Sequence, residues 1–88
     1  MPRKALFAGS FDPFTIGHKS IVDRGLELFD EIVIGIGVNS AKQPWLTPQQ
    51  REETIRNLYA NEPRVKVMTF NGLTVDAAHQ CGARFLLR

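Results

Sequence analysis

Gly9, Ser10, Asp12, Thr15, Gly17 and His18 crowd one short stretch, Ala8-Gly9-Ser10-Phe11-Asp12-Pro13-Phe14-Thr15-Ile16-Gly17-His18. An apolar run, Lys4 to Ala8, precedes it and reads as a strand. The segment Lys19 to Phe29 follows, with the apolar spacing of a helix. A strand, a tight turn and a helix start built from small residues make a place to hold a phosphate. Gly9 allows close backbone approach, Ser10 offers a hydroxyl, and Gly17 leaves room beside the helix start. The helix N-terminus adds free N–H groups and positive potential. His18 stands where the helix begins, so its ring can face whatever the turn holds.

The elements that must position these groups follow in strict alternation. Glu31 to Val38 is a β-branched run that fits a central parallel strand, with Gly35 and Gly37 on one face for close packing. Asn39 to Leu46 is a polar loop. Thr47-Pro48-Gln49-Gln50 then starts a helix, with Thr47 as N-cap, Pro48 at the first position and Gln50 closing a capping box. Ile55, Leu58 and Tyr59 give that helix its inward stripe, and Asn61-Glu62-Pro63 ends it. Val65, Val67 and Phe70 mark a third strand. Asn71-Gly72 leads to a third helix, Leu73 to Cys81, stopped by Gly82 in the left-handed conformation. Ala83 to Arg88 is a fourth strand. The order β-α-β-α-β-α-β predicts an α/β fold, a Rossmann-like doubly wound parallel sheet with right-handed crossovers.

Composition narrows the function classes. Of 88 residues, 43% are hydrophobic and 23% charged, as in a soluble globular chain, and the length allows a single domain, 1–88. Eleven Lys and Arg against nine Asp and Glu leave a net charge of +2 without a basic run, which argues against nucleic acid as partner. The lone Cys81 excludes an internal disulfide and a cysteine-built metal site, and reads as a small buried residue. No apolar run approaches membrane-spanning length, so no membrane partner is expected and the cytoplasm is the default location.

Gly9-Ser10-Phe11-Asp12-Pro13 followed by Thr15-Ile16-Gly17-His18 is neither the dinucleotide fingerprint nor the lysine-bearing P-loop. It resembles the signature of the nucleotidyltransferase superfamily in its T-x-G-H form, and Thr15 in the first position is similar to the phosphopantetheine adenylyltransferases. The resemblance implies adenylyl transfer from ATP to 4′-phosphopantetheine, with a magnesium ion accompanying ATP and no carboxylate pair to identify its ligands. It implies that His18 stabilises the transition state on an ATP phosphate and that Ser10 and Phe11 lie against the nucleotide. Ser10, Lys42, Thr74 and Arg88 look like the binding set for the phosphorylated acceptor. Family members often carry an aliphatic residue where Thr74 stands, and that contact is commonly through the backbone. A homo-hexamer is the assembly the resemblance implies.

The same resemblance covers only the first part of the family's pattern. The sheet is therefore expected to be incomplete at its C-terminal end, with the fourth strand short of cover, and the 88-residue chain alone to be inactive. Two other readings stay open: a superfamily relative with another acceptor, such as a nicotinate nucleotide, and a non-catalytic nucleotide-binding module. Of the remaining polar groups, His79 is expected to be exposed and Asp12 to brace its own turn through an Asx-type bond. Trp45 fits either a loop cover or a pocket cap.

Overall fold

The computed structural model describes residues 3–38 and 45–87. The elements run β1 (Lys4–Gly9), α1 (Ile16–Gly25), β2 (Glu31–Gly37), α2 (Pro48–Leu58), β3 (Val65–Phe70), α3 (Thr74–Cys81) and β4 (Phe85–Leu87). All pairings are parallel and the strand order is β3-β2-β1-β4. The chain therefore steps outward from β1 to β3 and then returns to the other side of β1. That reversal makes the carboxyl end of the sheet, between β1 and β4, a topological switch point, where ligands of open α/β sheets bind.

Both faces of the central strands are covered, as their uninterrupted apolar runs require. On one face Phe7, Ile32, Ile34 and Ile36 pack with Val22 of α1 and Ile55 of α2. On the other, Leu6 and Val33 pack with Ala77 and Ala78 of α3. Gly35 is part of this second face. A Cβ there would lie 2.9 Å from Leu6 Cδ1 and 3.2 Å from Phe70 Cε1, so the close packing expected of it is real. Along β4, Phe85 and Leu86 are 40% and 48% exposed, in keeping with a strand short of cover.

Three local expectations change. The first helix ends at Gly25 instead of running to Phe29. A Cβ at Gly25 would meet Ile32 Cδ1 at 2.7 Å and Leu87 Cδ2 at 2.8 Å, so the helix end presses on the sheet and the chain must turn away there. The inward stripe of α2 is Arg51, Ile55 and Tyr59, an i, i+4, i+8 row, while Leu58 is 46% exposed. Gly17 is not crowded: its nearest neighbour would be Thr15 Oγ1 at an ordinary 3.6 Å. Other signals hold. Thr47 and Gln50 close a capping box on α2, and Gly82 takes φ 77° at the end of α3, where a residue with a Cβ would be strained. Cys81 is half-buried against the α3 side of the sheet, and His79 is exposed.

Candidate active site

The turn between β1 and α1 opens at the carboxyl edge of the innermost strands. Thr15 is the N-cap of α1 in extended backbone, and the helix begins with a reciprocal capping box. The Thr15 hydroxyl accepts from the His18 backbone N–H at 3.4 Å, and the His18 ring reaches back to the Thr15 backbone N–H. His18 therefore caps its own helix, and this capping sets its chemistry. Nδ1 accepts the Thr15 N–H at 2.9 Å, with Thr15 Oγ1 3.1 Å from the same nitrogen. A nitrogen that accepts carries its lone pair, so the proton of the neutral ring sits on Nε2. Nε2 makes no hydrogen bond among the described residues and is left as a donor. The N–H groups of Ile16 and Gly17 belong to the first turn of α1, where no intrahelical partner exists.

Aromatic packing fixes the ring. Phe11 meets it edge-on with centroids 5.0 Å apart and planes at 89°, Phe14 lies at 5.3 Å, and Phe7 at 6.1 Å. Phe11 is 3% exposed and belongs to the core. Its φ of 49° is unusual for a residue with a Cβ and turns the ring inward over Gly9. A contact from Phe11 to a bound nucleotide would thus come from its backbone. Gly9 makes this possible: a Cβ at Gly9 would stand 3.1 Å from Phe11 Cζ and 3.2 Å from Cε1. We expect Gly9→Ala to push the Phe11 ring against His18 and to destabilise the fold by about 1–2 kcal/mol, as overpacking typically does. Urea denaturation checks this; an unchanged midpoint would show that the ring has room to move.

Ser10 is exposed, and its hydroxyl makes no hydrogen bond among the described residues. Its carbonyl accepts from Arg51 Nη1 at 2.7 Å. Thr74 is the first residue of α3, which follows β3 on the same edge, and Leu73 is the N-cap without a side-chain bond. The structure thus places Ser10, His18 and Thr74 along the carboxyl edge. Lys42 and Arg88 lie outside the described residues. Among the described residues no three of His, Cys, Asp and Glu are grouped to hold a metal ion. No described helix is long and apolar enough to cross a membrane.

Two site features differ from or escaped the sequence reading. Asp12 does not brace its own turn. Its carboxylate accepts the backbone N–H groups of Trp45 at 2.8 Å and Leu46 at 2.9 Å, immediately before α2. The Trp45 side chain itself is 89% exposed. Arg51, 4% exposed and the buried charged residue among those described, went unnoticed because an arginine in a helix ordinarily faces water. Its spacing of four from Ile55 was the available signal.

A parallel sheet with this reversal, and with the first turns of α1 and α3 at its carboxyl edge, defines a Rossmann-like α/β protein. Residues 6–88 match the cytidylyltransferase-like family, and the chain belongs to it. Within that family it is similar to phosphopantetheine adenylyltransferases. It is 55% identical over 86 residues to the one from Bacteroides thetaiotaomicron, covering 98% of this chain and 57% of that protein. The relative from Flavobacterium johnsoniae is 50% identical over 86 residues, with the same two coverages. That from Porphyromonas gingivalis is 51% identical over 84 residues, covering 96% of this chain and 55% of the relative. The chain spans a little over half the length of these relatives.

Proposed function

We propose that this chain contributes the nucleotidyltransferase domain of an enzyme that transfers the adenylyl group of ATP to 4′-phosphopantetheine, releasing pyrophosphate and forming dephospho-coenzyme A. The observation that carries the proposal is the His18 ring, held through Nδ1 by the backbone of Thr15 at the start of α1, which leaves Nε2–H without a partner among the described residues. An acceptor phosphate oxygen attacks the α-phosphorus of ATP, and the bond to the β,γ-pyrophosphate breaks. Both reactants are anions, so rate depends on positioning and on donors aimed at the charge that develops in the transition state. His18 Nε2–H supplies such a donor, and the Ile16 and Gly17 amides supply fixed positive potential. Ser10, Lys42, Thr74 and Arg88 form the acceptor set in this reading, and Ser10 and Phe11 flank the nucleotide.

Magnesium enters as part of the ATP substrate. Asp12, the carboxylate of the turn, is committed to two backbone amides. Among the described residues no three of His, Cys, Asp and Glu are grouped to hold an ion, and in this reading the ion arrives with ATP. A homo-hexamer is the assembly the family resemblance supplies to this reading, with the cytoplasm as the default location.

The test is pyrophosphate release by the full-length gene product, with 4′-phosphopantetheine, nicotinate mononucleotide or no acceptor. Release dependent on phosphopantetheine supports the proposal; release with the nicotinate nucleotide alone, or ATP binding without turnover, overturns it. Lys42→Ala is expected to raise the KM for the phosphorylated acceptor about tenfold or more, because a charge-assisted contact contributes about 1.5–3 kcal/mol, and to leave the ATP KM nearly unchanged. Equal increases for both substrates would remove Lys42 from the acceptor set.

A further inference from the structure

Asp12 and Arg51 each reach with a side chain to the backbone of the other's segment, and in both links the α2 side donates and the turn accepts. Asp12, in the β1–α1 turn, accepts the amides of Trp45 and Leu46 at the entry to α2. Arg51, in the first turns of α2, donates Nη1 to the Ser10 carbonyl at 2.7 Å and Nε to the Thr47 carbonyl at 3.4 Å. The two links bracket one residue of the turn, Phe11. Ser10 is held on one side of it and Asp12 on the other.

Phe11 has reason to need holding. Its backbone is in the left-handed region, which disfavours a residue with a Cβ by about 1–2 kcal/mol. Its ring is buried and lies edge-on to His18 at 5.0 Å. A turn free to relax would swing this ring and release the wall against which His18 stands. An arginine that is 4% exposed and pairs with no carboxylate among the described residues is costly to bury, and a role in packing alone would be met by methionine.

We infer that Asp12 and Arg51 are positioning residues that act together: they clamp Ser10-Phe11-Asp12 onto the start of α2, and through the Phe11 ring they hold His18 in the orientation that presents Nε2–H. The inference rests on the proposed adenylyl transfer for its kinetic part. Its structural part, the clamp, is tested without turnover.

The experiment uses the full-length gene product with Asp12→Asn, Arg51→Met, the double variant, and each single variant combined with His18→Ala. Asn has the shape of Asp and keeps one of the two acceptor oxygens, and Met keeps much of the arginine stem's bulk, so the fold should survive. Hydrogen–deuterium exchange is followed on peptides covering residues 9–18, 45–51 and 74–81. Either single variant should speed exchange in the first two peptides together and leave the third unchanged. Turnover should fall about tenfold in each, matching roughly 1.4 kcal/mol of lost positioning, with the acceptor KM within about twofold of the parent. The double variant should be no worse than the worse single one, and neither substitution should slow the enzyme further once His18 is alanine.

Unchanged exchange in peptides 9–18 and 45–51 would overturn the clamp. Faster exchange with parental turnover, or an undiminished loss on the His18→Ala background, would overturn its action through His18. If the parent protein shows no phosphopantetheine-dependent pyrophosphate release, the proposed function fails instead. The exchange result then decides the clamp alone.

Discussion

Substituting His18 by alanine in the full-length gene product should lower the proposed adenylyl transfer about 100–1000-fold, the loss that follows removal of a single transition-state hydrogen-bond donor worth about 2.7–4 kcal/mol. The reduction should fall on kcat and on kcat/KM alike, since a donor that tightens only as charge develops adds little to ground-state binding. The substitution also removes the ring half of the capping box, leaving the Thr15 N–H without its acceptor. The Thr15 hydroxyl still accepts from the backbone N–H of residue 18, so α1 keeps its other cap bond and the stability loss should stay near about 1 kcal/mol. Glutamine at this position separates the two roles. Its amide oxygen can accept from Thr15, as Gln50 does from Thr47 in α2, while its reach toward the phosphate differs from that of an imidazole. His18→Gln should therefore recover stability without recovering rate. Steady-state kinetics and urea denaturation on one preparation of each variant decide the matter; near-parental turnover in His18→Ala would take the residue out of the mechanism.

The helix-capping reading of His18 and the catalytic one are compatible, and the sequence showed why only in part. Thr15-Ile16-Gly17-His18 has the spacing of a capping box, with histidine where glutamate or glutamine usually stands. The i, i+3 spacing of a cap is local, so the motif, the alternation of strands and helices and the Thr47–Gln50 cap were all legible from residue types. The partners of Asp12 and Arg51 were not. They join positions more than thirty residues apart in the chain, and local pattern carries no register for such contacts. Leu58 was assigned inward for the same reason. Hydrophobicity favours it over Arg51, and only the position of the Ser10 carbonyl makes burying a guanidinium workable. The turning of α1 at Gly25 likewise depends on what the helix end meets, Ile32 of β2 and the sequence-distant Leu87 of β4. Where the outcome depended on periodicity and caps, the sequence sufficed. Where it depended on which loop meets which helix, coordinates were needed.

The largest loss of stability is expected from Ile34→Ala, because Ile34 occupies the centre of the sheet. Its strand, β2, lies between β1 and β3, and Ile34 stands in register with Phe7 on one side and Val67 on the other. Its side chain is 0% exposed and belongs to the cluster shared with Val22 of α1 and with Ile55 and Tyr59 of α2. Strands pinned on both sides by parallel ladders cannot collapse onto a hole, so a cavity should remain. The removed methylene and methyl groups and that cavity together should cost about 2–5 kcal/mol. A chain of this size is stable by roughly 0.05–0.15 kcal/mol per residue, or about 4–13 kcal/mol, so the variant could lose a third or more of its margin. Ile34→Val deletes a single methyl and should cost only about 0.5–1.5 kcal/mol. The defect should also reach the site by a defined route. Phe7 packs edge-on to Phe11 at 5.1 Å and lies 6.1 Å from the His18 ring, so loosening the wall beneath Phe7 loosens the rings above it. Equilibrium denaturation of parent, Ile34→Val and Ile34→Ala at one protein concentration gives the series. A loss below about 1 kcal/mol for the alanine variant, outside the range of buried large-to-small substitutions, would mean that the sheet relaxes into the space and that β2 is not the rigid centre of the fold.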